Sequence, residues 1–203
     1  RADVDALASL AGRFGAFLYL DEAHAVGVLG RSGMGLAAGA KIERGLVMGT
    51  FSKALGSYGA YVCCAAEVRE YLVNRAPGFI FSTALPPAAL GAADAALDLL
   101  PGMDRERQAL LAGAGWLRER LANAGLDTGA SSTQIVPVTV GEESRALAAM
   151  QALKEEGVLA VAVRPPTVPP GSSRLRLSLT ALHTQADLER LAVAVPRAVR
   201  SAS

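Results

Sequence analysis

The chain has 203 residues, 51% of them hydrophobic, and 20 Lys plus Arg against 19 Asp plus Glu give a net charge of +1. That balance, with no basic stripe and no run of like charges, gives no electrostatic reason to expect nucleic acid or an anionic membrane as a partner, and no apolar run reaches the length of a membrane span. One large or two small globular domains are expected, in a soluble cytoplasmic protein without a signal-peptide pattern.

The first element in chain order is VDALASLAGRFG (4–15), with apolar residues near helical spacing and Gly15 as a stop. AFLYL (16–20) predicts a short buried strand ending at Asp21. The glycine-rich stretch from 27 to 40 reads as loop, LVMGTF (46–51) as a second buried strand and AYVCCA (60–65) as a third. Cys63 and Cys64 are adjacent in that apolar run, so reduced, packed thiols are expected. A helix over EVREYLVNR (67–75), an extended piece at FIFST (79–83) and a helix from Pro87 to Leu100 follow.

Pro101–Gly102 marks the expected domain boundary, giving 1–100 and 101–203. Beyond it the pattern predicts a helix (103–124), a strand IVPVTV (135–140), a helix (143–156) and a strand LAVAV (159–163). The proline-rich loop RPPTVPPG (164–171), the alternating strand RLRLSL (174–179) and a closing helix (185–199) complete it. The class is α/β: part of a mostly parallel sheet domain, then a small α+β domain. Because the chain starts at Arg1 within an apparent helical segment, it is expected to be the later part of something longer, its first domain lacking an N-terminal portion.

Asp21 ends a strand, where open α/β sheets hold their ligands, and His24 lies three residues on. DEAH also occurs in nucleic-acid-dependent ATPases, but no G-x-x-x-x-G-K-[ST] accompanies it here. The plainer reading is an acid turning the chain at a strand end. His24 and His183 are the two histidines and lack metal-ligand spacing, so no metal is expected, and His183 reads as structural. Lys53 sits in TFSKALGSYGA (50–60), among Phe51, Ala54, Leu55 and glycines. In an apolar cleft a lysine loses solvation of its charged form and becomes a better amine; the plain alternative is a solvated loop lysine. With Asp21, His24 and Lys53 delivered to one cleft by two strands, the parts match what pyridoxal phosphate needs: an amine for its aldehyde, an acid for its ring nitrogen and a histidine near its ring oxygen.

LYLDEAHAVGVLGRSGMG (18–35) and GTFSKALGSYGAYV (49–62) resemble the two central motifs of the α-oxoamine synthases, fold-type I pyridoxal phosphate enzymes that join an amino acid to an acyl thioester with loss of carbon dioxide. The resemblance covers essentially the whole chain in order. It implies that Lys53 is the cofactor-binding lysine, Asp21 the partner of the pyridinium nitrogen and His24 the histidine on the ring oxygen. It places Thr50 near the phosphate, with Ser82 and Thr83 of FSTALPP reaching the phosphate across a homodimer that shares its active sites. Arg176 matches the arginine that grips the amino acid's carboxylate, and Arg164 the mouth of the same site. A bidentate guanidinium suits that task, although an exposed strand arginine is the plain reading.

Within the family, VRPPTVPPGSSRLRLSLTALH (163–183) resembles the branch that joins L-alanine to a pimeloyl thioester, on coenzyme A or a carrier protein, in biotin biosynthesis. Glycine C-acetyltransferase and 5-aminolevulinate synthase types, which usually differ at the RPP start, remain the alternative, as does a non-catalytic partner subunit. The family's earlier phosphate loop, ring-stacking histidine and serine near the ring oxygen have no counterpart in this sequence, which fits an incomplete, inactive fragment.

Overall fold

The structure is a computed structural model that describes residues 1–202. It divides into two compact units, Ala2–Arg107 and the residues from Gln108 onward with Arg1.

In the first unit, α1 (Val4–Phe14) is capped by Asp3, whose Oδ1 accepts the Ala6 N–H at 3.0 Å. It ends at Gly15, left-handed at φ 61°, which donates to the carbonyls of Ala11 and Gly12. β1 (Leu18–Asp21), β2 (Gly45–Thr50) and β3 (Ala60–Cys64) form a sheet in the order β1-β2-β3. β1 and β2 are parallel, with Leu18 opposite Gly45 and Asp21 opposite Met48; β2 and β3 are antiparallel. The sheet's parallel character therefore rests on the β1–β2 pair. β1 is an edge strand among the described residues; Leu20 faces inward and is buried, while Tyr19 on the opposite face is 57% exposed. β3 is the other edge. Its thiols are free, but Cys63 is exposed and Cys64 half-buried, so they are not packed as expected.

α2 (Ala66–Arg75), α3 (Pro77–Ile80) and α4 (Pro87–Leu99) follow. The extended piece expected at 79–83 is largely helical turn: Phe79 and Ile80 lie in α3 and donate to the Ala76 carbonyl, and Phe81 donates to Pro77. Pro77 at the first helical position presets φ for that turn. Pro101 and Gly102 lie inside the first unit, in a 3-10 turn (Leu100–Gly102) whose Leu100 is buried against Val26 and Leu55.

α5 (Asp104–Asn123) carries the chain into the second unit. There β4 (Ile135–Gly141), β5 (Val161–Val163) and β6 (Ser173–Ser178) form an antiparallel sheet in the order β4-β6-β5. α6 (Glu143–Glu155) and α7 (Gln185–Ser201) supply its helices. β5 is shorter than LAVAV because only Val161 to Val163 find partners on β6, and Leu159 stays exposed. The alternation of RLRLSL is realised: Leu175, Leu177 and Leu179 are buried, while Arg176 and Ser178 are exposed. They join Val136 and Val138 of β4, Ala146, Ala149 and Leu153 of α6, Leu117 and Leu121 of α5 and the apolar stripe of α7 in one core. α7 continues through Pro196, which is buried. Among the described residues no helix is long and apolar enough to cross a membrane.

α7 begins with a capping box. The Thr184 hydroxyl accepts the Asp187 N–H at 3.2 Å, and Asp187 Oδ2 accepts from both the Thr184 hydroxyl and its backbone N–H at 2.7 Å. Those bonds, the hydroxyl's first and the backbone's second, hold the Asp187 carboxyl below the ordinary carboxylate value. A depressed folded pKa stabilises the fold fully above the unfolded value of about 3.9 and loses that contribution as pH falls through the lower folded value. Thr184→Ala should return the Asp187 titration toward the ordinary value, as followed by carboxyl NMR; an unmoved titration would mean the box does not form in solution.

Candidate functional site

Parallel pairing sends β1 and β2 out of the sheet at the same edge. Asp21 is the last residue of β1, and the Glu22 N–H extends the ladder onto the Met48 carbonyl at 2.8 Å. Asp21 Oδ1 accepts the Ala23 N–H at 2.9 Å, an Asx turn that sharply redirects the chain. Asp21 and His24 are both exposed on that turn. β2 ends at Thr50, whose Oγ1 is buried without a hydrogen-bond partner. A buried hydroxyl left unmatched costs free energy, so this atom marks a place where an acceptor or donor is called for.

Lys53 lies three residues on. The Gly56 N–H donates to its carbonyl at 3.1 Å, the Ser57 N–H to the Phe51 carbonyl at 2.8 Å and the Phe51 N–H to the Gly59 carbonyl at 2.9 Å. The Ser57 hydroxyl ties the turn to the Ala89 carbonyl of α4 at 2.7 Å. The side chain of Lys53 is exposed among the described residues. Leu55 and Phe51 do face inward, but they pack beneath the turn with Val26, Leu100 and Tyr61 rather than around the amine. The Phe51 and Tyr61 rings sit 5.1 Å apart between centroids, and the Tyr61 hydroxyl lies where a side chain on Gly49 would be. Burial, then the nearby Cys63 and Glu22, push the Tyr61 phenol up from its usual value.

The two turns touch. Gly27 has φ 86°, and a Cβ built there would fall 2.3 Å from the Cβ of Ala54, the residue after Lys53. The turn after β1 is folded back on itself by bonds from the Gly27 N–H to the Gly33 carbonyl (2.7 Å) and from the Gly35 N–H to the Leu29 carbonyl (2.9 Å). Sequence reasoning missed Glu22. It is 5% exposed; its Oε1 accepts the Leu36 N–H at 2.9 Å and its Oε2 the Ala37 N–H at 3.1 Å. Its place between two proposed ligand-facing residues hid it, since nothing local to DEAH announces partners that lie 14 and 15 residues on. It missed Arg107 as well, 7% exposed, which donates to the Leu100 carbonyl at 2.6 Å, pairs with Asp104 and lies against Gly33.

Thus Asp21, His24, Thr50 and Lys53 share one sheet edge. Ser82 and Thr83 are exposed on the segment after α3, where the Ser82 hydroxyl donates to the Gly78 carbonyl. Arg176 and Arg164 belong to the second unit: Arg176 is exposed on β6 opposite Pro137 and Val161, and Arg164 pairs with Glu143 at 2.6 Å. His183 Nδ1 accepts the Thr180 N–H at 2.9 Å. Among the described residues no group of acids, histidines and cysteines could hold a metal ion.

Fold and strand-end arrangement together define the architecture of the fold-type I pyridoxal phosphate-dependent transferases. The sequence profile of aminotransferase class I and II matches residues 1–195, and the chain belongs to that family. An 8-amino-7-oxononanoate synthase of Gluconacetobacter diazotrophicus is 54% identical over 98% of this chain and 50% of its own length. A Magnetococcus marinus protein provisionally given the same name is 60% identical over 98% of this chain and 51% of its own length. The chain therefore spans about half the length of the curated relatives it matches. Among solved structures, a serine palmitoyltransferase from S. paucimobilis with a bound pyridoxal phosphate–myriocin compound superposes with a TM-score of 0.90 at 28% identity, covering 99% of this chain and 52% of that one. An 8-amino-7-oxononanoate synthase from Francisella tularensis gives 0.77 at 26% identity, covering 91% of this chain and 55% of that one.

Gly27 and Gly56 both hold left-handed φ, but Gly56 has nothing within 4 Å of a built Cβ. Gly56→Ala should cost about 1–2 kcal/mol for its backbone conformation, and Gly27→Ala clearly more, since the two turns must also separate. Urea denaturation of both variants reads the difference; equal costs would show that the turns do not press together.

Proposed function

We propose that the chain carries the lysine-bearing part of an 8-amino-7-oxononanoate synthase, a pyridoxal phosphate-dependent acyltransferase of biotin biosynthesis acting as a cytoplasmic homodimer. The reaction joins L-alanine to a pimeloyl thioester, on coenzyme A or a carrier protein. A carbon–carbon bond forms at the acyl carbonyl, the thiol carrier and carbon dioxide leave, and 8-amino-7-oxononanoate results. The observation that carries this reading is the delivery of Asp21 and Lys53 to one sheet edge by parallel neighbouring strands, in a chain whose relatives named for this reaction are 54% and 60% identical to it.

The donor set fits the cofactor: a primary amine on Lys53 for an aldehyde, a carboxylate on Asp21 for a pyridine nitrogen, and the unpartnered hydroxyl of Thr50 for a phosphate oxygen. When bound, pyridoxal phosphate supplies a sink for the electron pair left at the α-carbon. Lys53 Nζ would hold it covalently and, once displaced by the amine of the incoming amino acid, its free amine would take the α-proton and return a proton at the end. The Asp21 carboxylate would keep a proton on the ring nitrogen, and His24 would orient the ring oxygen. Ser82 and Thr83 would reach the phosphate across the homodimer. Arg176 would take the amino acid's carboxylate with its two-pronged guanidinium. Arg164 stands at the head of a loop stiffened by Pro165, Pro166, Pro169 and Pro170 and closed by bonds from the Thr167 N–H to the Arg164 carbonyl and from the Ser172 N–H to the Pro169 carbonyl. That loop would form a wall for the acyl chain, whose terminal carboxylate Arg164 would meet once released from Glu143.

In a full-length preparation, Lys53→Ala should abolish both the borohydride-fixed cofactor on the peptide and turnover; a cofactor still fixed to the same peptide would remove Lys53 from this role. Asp21→Asn should keep the attachment but lower kcat by about 100-fold or more, on the scale of other preorganised charges, and near-native turnover would overturn its assignment.

Substrate choice cannot reside in Asp21, His24, Lys53 and Arg176, which the relatives in this family share by resemblance. Thiol release should be faster with L-alanine and a pimeloyl thioester than with glycine and acetyl-CoA on the same preparation. A preference for the glycine pair would leave fold and cofactor in place and replace the biotin assignment.

A further inference from the structure

We infer that Glu22 is a positioning residue that sets where the Asp21–His24 turn stands against the Lys53 turn. Glu22 follows Asp21 directly, and its backbone N–H still belongs to the sheet through the Met48 carbonyl. Its side chain turns inward, and both carboxylate oxygens are taken by consecutive backbone N–H groups, Leu36 and Ala37. A buried charge is tolerated only where hydrogen bonds replace its water, and two charge-assisted bonds to rigid backbone do so here. The arrangement is shaped for a carboxylate: Gly35 has φ 93°, and a Cβ built there would lie 1.9 Å from Glu22 Oε2. Gly30 is closed in turn on Gly35, where a Cβ would meet the Gly35 carbonyl oxygen at 1.8 Å. The Glu22 carbonyl accepts the Ala25 and Val26 N–H groups at 2.8 and 3.0 Å, so one residue anchors both ends of the loop from 22 to 37.

The clamp reaches the Lys53 turn by two routes. Gly27, held to Gly33 within the clamped loop, presses on Ala54, and Val26 shares a buried cluster with Leu55 and Phe51. Releasing the Leu36–Ala37 segment frees the loop that keeps Gly27 and Val26 in place, and the two turns then lose their fixed separation. Among the described residues no side-chain bond joins Glu22 to Asp21 or Lys53, so its action is on their spacing. The role rests on the reading above, in which those two residues serve a bound pyridoxal phosphate.

Glu22→Gln tests it in the full-length protein. The amide keeps the volume and one acceptor oxygen but sets an N–H₂ against a backbone N–H. Amide hydrogen exchange should speed up by more than about tenfold at Leu36 or Ala37, and the loss of protection should extend to Gly27 and Gly56. With cofactor bound, the visible circular dichroism should change and kcat should fall roughly 10–100-fold with little change in KM for L-alanine, as expected when reacting groups are displaced but binding groups are not. Faster exchange confined to Leu36 and Ala37, with wild-type dichroism and kcat, overturns the inference and leaves Glu22 as a local loop staple. If the wild-type protein takes up no pyridoxal phosphate, the proposed function falls, while exchange at Gly27 and Gly56 still decides whether Glu22 fixes the two turns. Should Glu22→Gln fail to fold, Gly35→Ala, which presses on Oε2 from the other side, gives the same readouts.

Discussion

Parallel pairing of β1 with β2 is the constraint on which the rest of the first unit depends. Antiparallel neighbours would send Asp21 and Lys53 to opposite edges of the sheet. Parallel neighbours send both to one edge, and the register that sets Asp21 opposite Met48 leaves two further β2 residues before the Lys53 turn begins. The chain between the two strands has to return across the sheet. Here it does so through a glycine-rich loop whose end is fastened back to Glu22.

That fastening explains the composition of residues 27 to 35. Gly27 and Gly35 take left-handed backbone and also leave room, one for Ala54 and the other for a carboxylate oxygen. A stretch that looks like a flexible linker is in fact held by backbone bonds and by the buried Arg107, which lies against Gly33 while donating to the Leu100 carbonyl. Beneath it, Val26, Leu55 and Leu100 come from three separate segments and form one small apolar cluster. The exposed groups of the candidate site thus stand on turns whose undersides are packed.

The second unit is built on simpler rules. One face of its antiparallel sheet is apolar, and α5, α6 and α7 contribute to the core it forms. Strict alternation in β6 puts Leu175 and Leu177 into that core and forces Arg176 outward. Arg176 thus projects from a firmly packed sheet with a fixed backbone under it.

Local chemistry sufficed for much of this protein. The first helix stopping at Gly15, the strands expected at 46–51 and 60–65 and found within a residue of those bounds, and the alternation of RLRLSL are written in runs of neighbouring residues, because backbone propensity and side-chain period act over a few positions. The same short range made an acid and a lysine at strand ends visible as candidates. It could not reveal how tertiary packing treats each element. Among the described residues β1 leaves Tyr19 exposed and β3 leaves Cys63 exposed although both lie in apolar runs, and β5 is shorter than its apolar run because its length is set by its partner. Most of all, Glu22 acquires its role from two amides 14 and 15 residues away. A hydrogen bond of that span has no local signature, and only the folded chain, by closing the loop, decides which of two adjacent acids faces solvent and which is buried.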